Sequence, residues 1–261
     1  MRWVDLRPEI DSLTGEVSTD VRGGGFSAAD QAALEVALRL AEAWDGSVTV
    51  VTVGPAEAEA ALRELSAAGE LVDRVVRVQA DDVAAALAAV LEGADVVLCG
   101  DISLDGGSGA TPALVAHHLG AAQGLGLVEV EAVGPGVVEA TRRLGGGRSE
   151  RLRLRAPSVL SVEGSVARLR RATLPAVAAA VGRRVDVIHH GGHGPEPHVI
   201  AAGPWSPRAR IVAPPVGSPR ERIVTLTGAL VDRNPPRVIE APPAEAADAI
   251  LQQLRDWGYD L

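Results

Sequence analysis

The sequence predicts an α/β fold built on a mainly parallel sheet with helices on both faces, an antiparallel β elaboration and a C-terminal wrapping arm. Three observations predict it. Apolar β-branched runs alternate with alanine- and leucine-rich stretches of helical spacing up to about residue 120, the pattern of βαβ units. From about residue 124 glycine-linked strands replace the helices, and residues 189–222 turn rich in Pro and Gly before an amphipathic end. The boundaries expected from these shifts are residues 1–188 for a nucleotide-binding-like domain and residues 189–261 for an arm with a terminal helix.

The elements follow in chain order. Residues 27–44, "SAADQAALEVALRLAEAW", read as a helix with Ser27 as its N-cap and Asp30 in its first turn; apolar positions recur at Ala33, Val36, Ala37 and Leu40. "SVTVVTVG" (47–54) is a strand, "AEAEAALRELSAAG" (56–69) a helix that stops at Gly69, "VDRVVRV" (72–78) a strand and "DDVAAALAAVLEGA" (81–94) a helix. "DVVLCG" is the next strand, and "TPALVAHHLG" (111–120) the helix beyond it. The stretch through "RLRLRAPSVLSVEG" is expected to be strands of the antiparallel elaboration. Within it Arg151, Arg153 and Arg155 alternate with Leu152 and Leu154, so the three guanidinium groups share one strand face, either solvated or set against an anionic partner. The tract "HHGGHGPEPH" to "PRER" is expected to form no regular element. It carries four of the six histidines, in a spacing that does not match a structural metal site. "AEAADAILQQLRDWGY" (244–259) closes the chain as an amphipathic helix.

Charge narrows the chemistry. The 34 acidic residues outnumber the 25 basic ones for a formal charge of −9, and every basic residue is Arg. Such a balance gives no general attraction to nucleic acid. The lack of Lys removes the Schiff-base amine, the lysine general base and the phosphate clamp of transfer loops. Four Trp, one Tyr and one Phe leave few stacking platforms. Cys99 ends an apolar run and reads as a small buried hydrophobe in a reducing compartment. No signal-peptide pattern and no apolar run of membrane-spanning length are seen, so a cytoplasmic protein without membrane insertion is expected. Binding is favoured over turnover: no catalytic residue and no metal ligand is assigned.

The stretch with most to say about ligands is "GDISLDGGSGATPALVAHHLG", residues 100–120: a strand exit, a glycine loop and a helix start. Unsatisfied N–H groups and the positive end of the helix dipole converge in such a turn and favour an anion. Thr111 is placed to cap the helix, Pro112 suits its first turn, and Asp105 can hold the loop by accepting from its backbone. A dinucleotide fingerprint begins at Gly107-Ser108-Gly109 but meets Pro112 where its third glycine belongs, and a P-loop fails for want of Lys. A single phosphate or a diphosphate on backbone amides remains, beside a plain βα turn with no ligand.

In order along the chain, "RWVDLRP", "SAADQAALEVALRL", "VTVVTVGPAEAEAALRELSAAG", "ADVVLCGDISLDGGSGATPALVAHHLG", "RRLGGGRSERLRLRAPSVLSVEG" and "RRATLPAVAAA" resemble the beta subunit of electron transfer flavoproteins over roughly residues 1–185. The tail from "SPRERIV" is similar to the mycofactocin-associated branch of that family. The resemblance implies a heterodimer with an alpha subunit that holds FAD, passing electrons from a dehydrogenase to an acceptor without substrate turnover of its own. It also implies AMP, or a second FAD in bifurcating relatives, in the beta subunit. By position the nucleotide-binding residues fall on Ser27, on Val53 and Gly54 beside Pro55, and on Gly100, Ser103, Asp105, Gly106, Gly107, Ser108, Gly109, Ala110 and Thr111. Gly106, Gly109 and Ala110 stand where many members carry Asp, Asn and Gln, so side-chain ligands for AMP are missing. "RRATLPAVAAA" resembles the dehydrogenase-docking loop, with Leu174 as anchor and Ala179 and Gly182 at its usual basic positions. Members carry a full strand before the turn that "MRWVD" resembles, so either the start lies upstream of Met1 or that strand is absent; the ladders its loss would expose favour the upstream start. The readings outside this family are a stand-alone adenine-nucleotide-binding regulatory module and an NAD-dependent enzyme.

Overall fold

The computed structural model describes residues 1–11, 13–18, 20–191, 215–227, 238 and 240–259. The chain divides into two units, one up to residue 205 and one from residue 206.

The first unit opens with β1 (Trp3–Asp5), the short pair β2 (Glu9–Ile10) and β3 (Val17–Ser18), and β4 (Gly24–Phe26), which runs antiparallel to β1. The βα alternation follows as α1 (Ala28–Trp44), β5 (Val48–Val53), α2 (Ala58–Ser66), β6 (Val72–Gln79), α3 (Val83–Val90), β7 (Val96–Gly100) and α4 (Thr111–Leu119). Then come β8 (Ala122–Gly134), β9 (Val137–Arg143), β10 (Ser149–Arg155), β11 (Ser158–Val162), α5 (Leu174–Val181) and β12 (Asp186–His189). Helix α1 starts where the local signal puts it: Ser27 is extended, and its Oγ accepts from the Asp30 amide at 3.1 Å. Helix α3 is shorter than the apolar run 81–94, because Asp82 caps it through the Ala85 amide and Gly93 takes a left-handed φ of 84° beyond its end.

The parallel architecture is present in two sheets. One has the order β12-β6-β5, parallel throughout, and the other the order β10-β9-β8-β11-β7. In the second, β8, β9 and β10 form the expected antiparallel meander. β11 corrects the expectation for "APSVLSVEG". It leaves the meander and inserts between β7 and β8, parallel to both. All five of its residues are buried, and a strand covered on both faces belongs to the interior of a parallel sheet. On β10 the residues alternate as expected, with Arg151, Arg153 and Arg155 exposed and Leu152 and Leu154 turned inward. Glu139 on β9 pairs with Arg153 in register, at 3.8 Å.

Helices cover both faces. On one, Leu34 and Leu38 of α1 and Leu62 of α2 pack on Val50, Val72 and Val75, and other α1 residues pack on Leu127, Val138 and Leu160. On the other, Leu87 of α3 and Val115 of α4 pack on Val51, Val76, Val97 and Val159.

In the second unit α6 (Pro219–Thr227) and α7 (Pro243–Asp256) are described, neither with a buried residue. Helix α6 corrects the expectation that the tract up to residue 222 forms no regular element. Glu221 accepts from the Ser218 amide at 2.7 Å while the Ser218 hydroxyl accepts from the Glu221 amide at 3.4 Å, a reciprocal cap that starts a helix right after the Pro/Gly run. Residues 192–214 of that tract, including His193 and His198, lie outside the described residues. Among the described residues no helix is long and apolar enough to cross a membrane, and no group of three metal-ligating side chains gathers.

Candidate functional site

Strand β7 delivers the loop 101–110 directly over the start of α1. Gly100 makes that approach possible: a Cβ there would stand 3.0 Å from the Ala29 Cβ and 3.1 Å from the Asp30 amide nitrogen. Asp30 is itself buried and occupied. One oxygen accepts from the Ser27 hydroxyl at 2.9 Å, and the other accepts from the Arg2 amide at 3.3 Å.

The loop ties up several of its own polar groups. The Ser103 carbonyl and hydroxyl both accept from the Gly107 amide, at 3.1 and 3.4 Å. Asp105 Oδ1 accepts from the Gly106 amide at 2.7 Å, and the Ser108 hydroxyl accepts from the Ala110 amide at 3.3 Å. Gly107 and Gly109 take left-handed φ angles of 65° and 62°. At Gly109 a Cβ would also lie 2.8 Å from the Asp101 carbonyl, so two independent constraints select glycine there.

Arg2 closes the arrangement. Its Nε reaches both Asp105 oxygens, at 3.0 and 2.8 Å, and its Nη2 reaches Oδ2 at 2.6 Å. The Arg2 guanidinium and the Gly106 amide hold the Asp105 carboxyl well below the usual carboxylate range. The anion gathered by this glycine loop is thus the loop's own carboxylate. At the strand end burial pushes the Asp101 carboxyl up, with Glu163 and Asp30 adding like charge. Burial also pushes the Cys99 thiol up, which opposes a nucleophilic role.

Helix α4 corrects the expectation for Thr111. The helix begins at Thr111, and the cap position is Ala110, already in a right-handed helical conformation and without a side-chain cap bond. Only a residue in extended conformation before the first turn can turn its oxygen back on the N2 and N3 amides. Thr111 sits one residue too late to do so.

Gly100, Ser103, Ser108, Gly109, Thr111 and Val53 share one cavity with Arg2, Asp30 and Asp101; its volume is about 70 Å³. Gly54 lies apart, in a hollow of about 510 Å³ beside Arg77, whose Nη1 donates to the Gly54 carbonyl at 3.3 Å and whose Nε donates to Glu59 at 3.0 Å. Ser27 caps α1 and reaches the site only through Asp30. Gly106, Gly107 and Ala110 do not line the small cavity. Asp105 borders a third hollow of about 630 Å³, together with Asp5, Asp20 and Glu57.

The cavity at the loop does not fit AMP in the described geometry. Sites for small organic ligands run to roughly 300–1,000 Å³, and the cavity at the loop is several times smaller. The larger hollow beside it is lined by four carboxylates, which repel a phosphate. Sequence reasoning missed Arg2 and Asp30. Asp30 carried a local signal as a first-turn acid, but Arg2 lies 103 residues from Asp105 and no spacing rule joins them.

Leu174 is elsewhere, at the start of α5. Thr173 caps this helix by accepting from the Ala176 amide at 3.3 Å. Leu174 is 81% exposed, with Val177 and Val181 exposed at helical spacing after it. Leu174 is therefore a surface residue. The segment before α5 is fastened to α1. Arg170 Nε and Nη2 donate to the two Glu35 oxygens at 3.0 and 3.1 Å, its amide donates to Glu35 at 3.1 Å, and its Nη1 pairs with Glu42. Arg39 adds a further bond to Glu35 at 3.0 Å. Burial pushes the Glu35 carboxyl up, but the bonds from Arg170 and Arg39 outweigh it and hold the group below its ordinary value.

Residues 15–188 match the electron transfer flavoprotein domain family. Proteins named electron transfer flavoprotein subunit beta from Mycobacterium bovis and from two strains of Mycobacterium tuberculosis are 31% identical over 175 residues. The alignment covers 61% of this chain and 64% of each relative, so the chain spans under two thirds of the length of these curated relatives.

Proposed function

This chain belongs to the electron transfer flavoprotein domain family, and from that premise we propose that it acts as a beta-type subunit. In this reading it pairs in the cytoplasm with an alpha-type subunit that holds most of the FAD, accepts electrons from a dehydrogenase and hands them to a further acceptor. It turns over no substrate itself. The observation that carries the reading is the family match across residues 15–188, reinforced by relatives that bear the beta-subunit name. When bound in the complex, FAD supplies the one- and two-electron carrier. This chain's residues brace the partner and present a docking point.

The same reading assigns the loop 101–110 a structural role. Arg2 pairs with Asp105 where it would otherwise pair with a phosphate, which supports a fold that does not depend on AMP. Leu174, exposed on a capped helix with Val177 and Val181 after it, is the dehydrogenase anchor, since an apolar side chain held out on a fixed support can fill a partner's pocket. A stand-alone adenine-nucleotide module is disfavoured by the small cavity at the loop.

Co-expression with an alpha-type partner tests the proposal. The expected product is a yellow heterodimer with flavin absorbance that is reduced by a dehydrogenase in the presence of its substrate. A chain that purifies alone, fails to associate with an alpha-type subunit and carries no flavin overturns it.

A further inference from the structure

Helix α5 is held by its ends. Its 8 residues are too few for a helix to persist in water on backbone bonds alone. From residue 170 to residue 184 the one buried residue is Ala180, so apolar packing grips the helix at a single small side chain. The grip at either end is polar. At the start, Arg170 spans Glu35 and Glu42, two turns apart on α1, and its own amide also donates to Glu35. Glu35 is buried, and a planar guanidinium that reaches both of its oxygens fixes direction as well as distance. At the other end, Arg63 of α2 donates to the Arg183 carbonyl at 3.1 Å, and the Arg183 guanidinium donates to the Val72 carbonyl at the head of β6. Arg63 is set in turn by Glu59, one turn before it, at 3.1 Å.

The helix between these tethers is apolar throughout and carries no charge. Leu174, Val177 and Val181 fall at i, i+3 and i+7, on one stripe of its surface, and all three are exposed. Nothing in α5 itself therefore aims the stripe. Its direction is set by α1 at one end and by α2 and β6 at the other.

We propose that Arg170 and Arg63 are positioning residues for docking: they hold α5 at its two ends so that Leu174, Val177 and Val181 meet a partner as one rigid apolar stripe. The inference rests on the reading of Leu174 as the dehydrogenase anchor. Neither arginine needs to touch the dehydrogenase. Each removes in advance a freedom that α5 would otherwise lose on binding, and ordering of that kind subtracts from affinity. Electron transfer within the formed complex is independent of them.

Flavin reduction by the dehydrogenase that reduces the co-expressed heterodimer, followed at rising heterodimer concentration, separates docking from transfer. Arg170→Ala and Arg63→Ala are each expected to raise the half-saturating concentration by about fivefold or more. The limiting rate stays within about twofold, with heterodimer counted by bound flavin so that unfolded protein does not enter. In a Leu174→Ala background the same changes add less than about twofold to half-saturation, because they act through the missing anchor, while their cost in a urea titration is undiminished. Amide exchange of the heterodimer alone gives a second reading. The Ala176 and Val177 amides, which donate to the Thr173 hydroxyl and carbonyl, are expected to exchange about tenfold faster in Arg170→Ala while Val75 and Val76 of β6 keep their rates. If Leu174→Ala weakens docking and neither arginine variant does, this inference is overturned and the anchor stands. Equal docking losses with and without Leu174 overturn it as well, since the arginines then act elsewhere. If Leu174→Ala leaves half-saturation unchanged, the anchor reading fails and the positioning role fails with it. Should Arg170→Ala not fold, Arg63→Ala at the far end of α5 decides.

Discussion

The loop at the end of β7 and the start of α5 are opposite solutions to exposure. The loop is rich in polar groups and turns several of them on itself: Asp105 is held by Arg2 and Gly106, Ser103 by Gly107, and Ser108 by Ala110. Helix α5 instead leaves Leu174, Val177 and Val181 in solvent while an ionic clamp fixes the chain just before it. A surface that has satisfied its own bonds gains little from a ligand. One that keeps apolar side chains exposed on a rigid support gains from a partner. The glycine loop, the more suggestive of the two in sequence, is thus the less open in structure.

The clamp should give the largest effect. Arg170→Ala leaves the buried Glu35 carboxylate with fewer donors and should cost about 2–3 kcal/mol in a urea titration, somewhat under the usual range for a fully buried pair because Arg170 keeps contact with solvent. An unchanged midpoint would remove the distinction between a fixed α5 and a free one. The clamp also has a signed pH dependence. Glu35 is held below its ordinary value of 4.5 in the folded state, so its contribution is complete above that value and falls away as the pH drops through the lower, folded one. Acid titration of stability should therefore show a loss in the wild type that Glu35→Gln lacks.

Leu174→Ala sharpens the comparison from the other side. The change should weaken docking to the dehydrogenase by about 2 kcal/mol or more, and leave the melting temperature of the heterodimer in place. A loss of folding stability of similar size would mean that Leu174 is packed within the complex. Arg2→Ala comes next, because its pair with Asp105 is partly solvated, both side chains being about two fifths exposed. The expected loss of stability is about 0.5–1 kcal/mol, accompanied by faster exchange of the Gly106 amide. Thr111→Val should be smallest, within about 0.5 kcal/mol, since Thr111 caps nothing. A cost above 1 kcal/mol would restore it to the role that the sequence pattern offers.

What could be read in advance tracks the range of each interaction. Ser27 with Asp30, the alternation on β10 and the run of strands and helices are local patterns, and each reappears in place. Glu35 lies among apolar residues of an amphipathic helix, but its burial depends on Arg170, 135 residues away. The Arg2–Asp105 pair and the insertion of β11 between β7 and β8 are likewise decided by chain topology, which local periodicity does not encode. Thr111 shows a different limit: hydroxyl chemistry at a helix start was legible, but its function turned on a shift of one residue.

A glycine loop closed by its own carboxylate would leave the nucleotide of the complex to the partner. Denaturing the purified heterodimer and identifying the released nucleotides tests it most directly. FAD without AMP is expected, with no submicromolar AMP binding by calorimetry on the stripped complex. One AMP released for each FAD, with tight rebinding that leaves the Arg2–Asp105 pair broken, would contradict it.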